Sequence, residues 1–364
     1  MLHERTTIAF LYLLQAGLWE REHLVPAIFP LSDQEWQLIY KQSIQQTVEG
    51  IVYDGIQNLP PSQRPPRSLA LKWLVRIEHI ERRNTAMNQI IAAQYLFFKK
   101  HQIEPILLKG QGMAQYYPQP LHRICGDIDW YFPTKKMYRQ ANSLIEKRGL
   151  DLVYTAGYSS SYSWDHFETE HHLHIFDIHN PFCIPFLKRL LLQEKENTRY
   201  SMINDVAVAL PAHHVNMVQV TSHILKHLLS FGIGIRQLCD TARLYHVVKT
   251  EIDPHEIKKI YHQLGIERWI DQLHHVLVHH IGLPKTDLPY PLSNKNADWL
   301  MEDILVSGNF GFHDSRYSKA EQQNKGNRVE TKNRLWHRFK TYLPFAPMEA
   351  ISFPIVQFLS KFSR

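Results

Sequence analysis

Residues 107–132 read LLKGQGMAQYYPQPLHRICGDIDWYF, and the two ends of that stretch decide the fold. The apolar run from Ile103 to Leu108 stops at Lys109-Gly110, as a buried strand does when it enters a turn. Asp127 to Phe132 then alternates and stops at Pro133, which predicts a second strand. On a strand, Asp127 and Asp129 point to the same face, about 7 Å apart along the chain at 3.3–3.4 Å per residue. Two carboxylates so placed can converge on one hard cation, because Mg²⁺ takes oxygen ligands and needs few of them from protein. Taken alone, the pair has a plainer alternative, a solvent-facing D-x-D on an edge strand.

Working outward, a third carboxylate favours the metal reading. Residues 171–179 read HHLHIFDIH, and their alternation predicts a strand on which Asp177 shares a face with Leu173, Ile175 and His179. An aspartate between Phe176 and Ile178 in so apolar a segment needs a partner. A neighbouring strand carrying Asp127 and Asp129, with a metal between, would supply one. The same arrangement explains a glycine turn at a strand end, since Gly110 lets backbone N–H groups approach a phosphate. Lys109 and Arg123 would add positive charge there, a surface ion pair being the alternative for each.

Strand candidates also include Asp151 to Thr155, with a helix from the Thr134 cap to about Arg148 and Gly149 at its end. This mixed stretch is embedded in helices. Before it, Trp36, Ile39, Tyr40, Ile44, Val48 and Ile51 recur at helical spacing. Prolines 60, 61, 65 and 66 interrupt, and Ser68 is placed to cap a long helix to about His101 with Leu74, Ile77, Ile80, Met87, Ile91 and Tyr95 on one stripe. After about Asn180 helices return, at Pro211–Ser230, Arg236–Lys249, Pro254–Leu264 and Glu267–Ile281. His313 to Thr331 is polar and reads as a mobile loop or linker, followed by an aromatic tail (Trp336, Phe339, Tyr342, Phe345, Phe353, Phe358, Phe362) expected to dock on the body. The predicted fold is α+β, a small mixed-sheet core flanked by helical regions. The expected divisions are 1–101 (helical), 102–200 (mixed core), 201–312 (helical) and 313–364 (basic linker and aromatic segment).

Composition narrows the class. With 44% hydrophobic residues in 364, the chain has ample apolar surface for a core and is not disordered throughout. No apolar run reaches the length of a membrane span. The nearest, Thr7 to Trp19, lacks the flanks of a secretory leader. Three cysteines, Cys125, Cys183 and Cys239, form no framework, so a cytoplasmic setting is expected. Of the 41 Lys and Arg, ten lie in 315–364 with three of the 35 Asp and Glu, which leaves 31 basic and 32 acidic residues in the rest. The body is thus close to neutral and offers no broad basic footprint for nucleic acid. The tail could meet phosphates or a membrane surface, or be a solvated basic face.

These residues resemble the DNA polymerase beta-like nucleotidyltransferase superfamily, and more narrowly its bacterial family of uncharacterised nucleotidyltransferases. The resemblance rests on Leu108-Lys109-Gly110, the Tyr117-Pro118 step, Arg123, Gly126-Asp127-Ile128-Asp129 and Asp177-Ile178-His179. His223-x-x-x-His227 and the stretch from Gly232 to Asp240 extend it, so that it covers roughly Ile103 to Pro284. Gln111 departs from the broader superfamily, which has a second small residue there. The resemblance implies an α+β nucleotidyltransferase core and two-metal transfer of a nucleoside monophosphate from an NTP, with Mg²⁺ or Mn²⁺ held by Asp127, Asp129 and Asp177. Asp177 would also help to accept the acceptor's proton. Lys109, Gly110, Gln111, Arg123 and Gly126 would meet the nucleotide, and His223, His227, Arg236 and Asp240 would face it from the helical half; a buried network joining helices is the alternative for those four. The acceptor is left open between a small molecule, a glycan precursor, a peptide and an RNA end. Two other classes stay in view. One is a silent nucleotide-binding scaffold. The other is a zinc hydrolase built on some of the 23 histidines, although His223 is not followed by the glutamate of an H-E-x-x-H pattern.

Overall fold

The computed structural model describes residues 2–20, 25–155, 159–314, 316 and 332–360. Most of the predicted 313–331 loop and Phe362 lie outside the described residues. Three helices come first, α1 (Leu2–Leu18), α2 (Asp33–Gln45) and α3 (Glu49–Gln57). Ser32 and Glu35 form a capping box at the start of α2, where the Ser32 N–H donates to Glu35 Oε2 at 2.7 Å. The helix face predicted from Trp36 to Ile51 is divided between α2 and α3, because Thr47 takes φ 55° and stops the first helix.

The long helix is α4 (Arg67–Lys100). Its cap position is Pro66, so Ser68 lies inside the helix. Leu74 is 49% exposed, and the buried stripe runs instead through Trp73, Ile77, Ile80, Asn84, Met87, Ile91, Tyr95 and Phe98. That is the 3.6-residue period carried through without a break. One amide beside the stripe ties α4 to the sheet by two bonds: Trp130 Nε1 donates to Gln94 Oε1 at 2.6 Å, and Gln94 Nε2 donates to Thr169 Oγ1 at 3.0 Å.

The sheet is mixed and has five strands, β1 (Ile106–Leu108), β2 (Ile128–Tyr131), β3 (Val153–Thr155), β4 (Ser159–Trp164) and β5 (Phe167–His172), in the order β1-β2-β5-β4-β3. Only β2 and β5 run parallel. One face, with Ile128, Trp130 and Tyr162, packs against α4 and α6 (Lys135–Lys147). The other face carries Asp129 and Tyr131. A short helix α5 (Gly110–Ala114) follows β1, and α7 (Ile184–Gln193) precedes a separate hairpin, β6 (Arg199–Ile203) with β7 (Val206–Leu210). Both hairpin turns, Asp165-His166 and Asn204-Asp205, hold two successive residues at positive φ, the conformation that matches strand twist.

Seven helices complete the described chain: α8 (His213–Leu229), α9 (Ile235–Val248), α10 (Pro254–Gln263), α11 (Glu267–His279), α12 (Asp298–Ser307), α13 (Lys332–Tyr342) and α14 (Pro347–Ser360). One core runs through all the outer helices, from Ala9 and Phe10 of α1 to Tyr342 and Phe353 of the tail. Of the tail aromatics, Tyr342 and Phe353 dock, whereas Trp336 and Phe358 are exposed. Trp19 Nε1 donates to the Ile281 carbonyl at 2.8 Å and Gln46 Nε2 to that of Ile304 at 3.3 Å, so the ends of α1 and α2 bond directly to the chain just after α11 and to α12. No helix among the described residues is long and apolar enough to cross a membrane. All three cysteines are buried and unpaired.

Helices α1 and α3 cross in backbone contact. A Cβ on Gly55 would lie 1.9 Å from the Leu13 carbonyl oxygen, and one on Gly17 would lie 1.8 Å from that of Ile51. Neither methyl has room without parting the helices. Gly55→Ala is therefore expected to cost roughly 1–3 kcal/mol, the range for overpacking a closed interior, measurable as a lower urea midpoint with an unchanged slope.

Candidate active site

Strand β1 ends opposite Asp129, with Leu108 as its partner in the ladder. The chain then turns sharply: Lys109 has φ 46° and Gly110 φ 38°. Lys109 is thus a non-glycine residue in the left-handed region, a conformation that costs of order 1–3 kcal/mol and is kept where the surroundings impose it. A Cβ on Gly110 would lie 2.8 Å from Cys125 Sγ, so the turn is closed against the loop that leads into β2. This brings the Lys109 ammonium to 3.4 Å from Asp129 Oδ1.

Parallel pairing fixes the rest of the face. Asp129 stands opposite Glu170 and Tyr131 opposite His172. His172 Nε2 lies 2.7 Å from Asp129 Oδ1 and 3.4 Å from Glu170 Oε2. Asp129, Glu170 and His172 form one of the two groups among the described residues whose metal-ligating atoms cluster. Glu170 was missed because the strand was expected to begin at His171, and His172 because it falls on the opposite face of that expected strand from Asp177. Their signal was the alternation Phe167-Glu168-Thr169-Glu170-His171-His172, in which the first, third and fifth residues are buried and the others less so.

The strand predicted for 171–179 is a correction. Strand β5 stops at His172, where the Phe132 N–H makes the last bond to its carbonyl at 2.9 Å. Pro133 ends the partner strand, so the chain beyond His172 has nothing to pair with. It runs instead onto α8, where Asp177 accepts from Lys226 Nζ at 2.8 Å and bonds His223 Nδ1 at 2.7 Å. Asp177 is still near the cluster, for its charge acts on Lys109 together with those of Asp129, Asp127 and Glu170. The His223 and His227 rings meet edge to face, 4.4 Å between centroids.

Other expected residues lie in the frame around the cluster. Gln111 is buried and donates to Asn84 Oδ1 at 3.0 Å, which points it into α4 and away from the acids. Arg123 makes a buried two-bond pair with Asp240, at 3.0 and 2.6 Å, and Tyr117 donates to the same carboxylate at 2.7 Å. Arg236 Nη1 donates to the Ile124 carbonyl at 2.7 Å, while its buried Nε has no hydrogen-bond partner. Gly126 is exposed, its carbonyl held by Arg83.

The electrostatics of the group are unequal. The Asp129 charge, with burial second, pushes Asp127 up to about 6 in spite of Lys109. Burial would raise Asp129 as well, but Lys109 and the His172 hydrogen bond outweigh it and hold that carboxyl below the usual range. Burial likewise opposes ionisation of Asp177, and Lys226 and His223 more than reverse it. Burial, reinforced by Lys109, lowers His223 to about 4 and keeps it neutral at pH 7.

Two crowded carboxylates, one of them resisting ionisation because of the other, are what a divalent cation would relieve. The carboxylate oxygens of Asp129 and Glu170, clustered with His172 and with the Asp127 charge close by, suit Mg²⁺ or Mn²⁺. The residues therefore fit the ion. His223 and His227 belong to neither clustered ligand group among the described residues, and His223 Nδ1 is engaged by Asp177.

A family model described as uncharacterised nucleotidyltransferase matches residues 32–282. No curated protein matches the chain. Among solved structures, an antigenic nucleotidyltransferase-like protein from Paracoccidioides brasiliensis is similar at 11% identity over 54% of this chain and 92% of that one, with a TM-score of 0.32.

The repulsion has a measurable sign. Because Asp127 binds its proton more tightly folded than unfolded, its contribution falls as pH rises from 3.8 through about 6. In EDTA at pH 7.5, Asp127→Asn is expected to stabilise the protein by roughly 1–2 kcal/mol at 1.36 kcal/mol per unit with some solvent screening. The gain should vanish below pH 4, as read from urea melts across that range.

Proposed function

The chain belongs to the uncharacterised nucleotidyltransferase family, and on that premise we propose that it moves a nucleoside monophosphate from an NTP to a hydroxyl or phosphate acceptor, with pyrophosphate as the leaving group. The observation that carries the reading is Asp129, whose Oδ1 meets the Lys109 ammonium at 3.4 Å and His172 Nε2 at 2.7 Å in a group of ligand atoms shared with Glu170, with Asp127 and Asp177 near enough to act on the same ammonium. Asp127 and Asp129 would hold Mg²⁺ or Mn²⁺, with Glu170 and His172 beside them. When bound, the ion would offset charge on the attacking and leaving oxygens.

The protein's own groups do the rest. Lys109, at the strained turn and 3.4 Å from Asp129, would be the cation that meets the triphosphate. Gly110 keeps the backbone of that turn close, and exposed Gly126 leaves the strand entry open to the donor. Of the two arginines, Arg236 is assigned to the phosphates, because Arg123 is spent on Asp240 whereas Arg236 keeps an unpartnered buried N–H. Arg123, Asp240 and Gln111 hold the frame.

Asp177 is assigned to the acceptor side. Both its oxygens are engaged, by Lys226 and His223, so it orients those side chains and enters the metal shell only where they yield. Its lowered proton affinity makes it a weak base in that state. Small molecules, glycan precursors, peptides and RNA ends are the acceptor classes, and the near-neutral body disfavours a long RNA.

Calorimetry and thermal shift with each of the four NTPs, in Mg²⁺ and in EDTA, test the assignment without knowledge of the acceptor. One NTP is expected to bind only with metal. Asp129→Ala should weaken it at least 100-fold, about 2.8 kcal/mol, while the variant stays folded. Failure of the wild type to bind any NTP would overturn the reading in favour of a silent scaffold.

A further inference from the structure

The second group of clustered ligand atoms lies in the helical half and plays no part in the proposed transfer. His275, in the last turns of α11, and His280, just after it, converge on Asp298 at the start of α12. Asp298 Oδ1 is 3.0 Å from His275 Nε2 and 2.7 Å from His280 Nε2. The three ligand atoms all lie within 4.8 Å of one another.

The chemistry of this triad is specific. Two imidazole nitrogens crowd a single carboxylate oxygen, while the other oxygen is taken by Asn296 Nδ2 at 2.8 Å. The Asp298 N–H in turn donates to Asn296 Oδ1 at 2.8 Å. That reciprocal clamp aims Oδ1 at the histidines, as outer-shell partners of a metal ligand do. With bonds of about 2.0–2.2 Å to nitrogen and oxygen, ligand atoms around a tetrahedral Zn²⁺ sit about 3.3–3.6 Å apart. The two histidine nitrogens must each draw back from Asp298 Oδ1 by roughly half an ångström to admit the ion. Two neutral imidazoles and one carboxylate suit zinc, whereas Mg²⁺ would prefer oxygen alone.

Access and position agree with this. The Asp298 side chain is 48% exposed and those of His275 and His280 are 11% and 22% exposed, so an ion could enter and keep a water. The His279 ring packs on His275 at the rim, 4.4 Å between centroids. The carbonyls of His280 and Ile281 are the ones that receive Gln15 of α1 and Trp19 just after it. A bond through the triad would close the connection between α11 and α12 beside the seat of the first helix.

We propose that His275, His280 and Asp298 bind one Zn²⁺ per chain as a structural clip between α11 and α12, with solvent completing the shell. The test uses tag-free full-length protein carrying Asp129→Asn and His172→Gln, which removes the other clustered group; comparison of variants then discounts adventitious binding by the remaining histidines. After stripping with EDTA, Zn²⁺ is added at micromolar concentration, and bound metal and thermal midpoint are measured. One zinc per chain and a raised midpoint are expected. His280→Gln and Asp298→Asn should each lower affinity more than ~100-fold, and Asn296→Ala about tenfold, since outer-shell partners are commonly worth 10–100-fold. Circular dichroism of the stripped proteins checks folding, and if one ligand variant fails to fold the other decides. Substoichiometric zinc in the parent, or undiminished zinc in a folded ligand variant, would overturn the proposal.

Discussion

Like charges held close together organise this molecule. Asp127 immediately before β2, Asp129 on β2, Glu170 on β5 and Asp177 on the segment against α8 all act electrostatically on the Lys109 ammonium. Nothing of that kind persists by accident, because each carboxylate removed from water needs compensation. Lys109 supplies part of it from a strained turn, and His172, His223 and Lys226 supply more. The acids remain in excess, which favours a cation in their midst.

Keeping such a group in place demands a rigid frame, and the frame is polar where it touches the site. Arg123 and Asp240 join the loop before β2 to α9, with Tyr117 on the same carboxylate. Asn84 and Gln94 join α4 to the turn and to the sheet. These buried hydrogen bonds have defined directions, so they set the register of the elements as apolar contacts alone would not.

The two ends of the 107–132 stretch were legible because they carry strong local signals: an apolar run closed by Lys-Gly, and an alternation closed by Pro133. The helices from Pro211 to Ile281 were legible by their period, within a residue or two at their ends. Strand β4 was not, since Ser159-Ser160-Ser161 offers no apolar pattern and the strand exists through its pairing with β5. The β6–β7 hairpin could have been found from Asn204-Asp205 between two β-rich runs. Asp177 was found for a wrong local reason: its segment is apolar because it packs beside α8, and no strand is formed. The partnership of Arg123 with Asp240 was invisible because the two are 117 residues apart. The family resemblance was read from Ile103 onward, whereas the family model begins at residue 32. Helices α2 to α4 read as generic amphipathic segments, and their amides show a purpose only once the sheet is beside them.

The shared core of the outer helices has a consequence for how the chain comes into being. Trp19 and the Ile281 carbonyl that it bonds are separated by 262 positions. During synthesis at about 5–20 residues per second, α1 would wait of the order of ten seconds or more with its apolar face uncovered before its seat emerges. The backbone contact of α1 with α3 offers the first helix a nearby partner in that interval. A nascent chain of this design depends on that early pair, or on a chaperone, to keep the first helix from associating elsewhere. The mixed sheet, formed from residues in the middle of the chain, is then closed in by helices from both sides of the sequence.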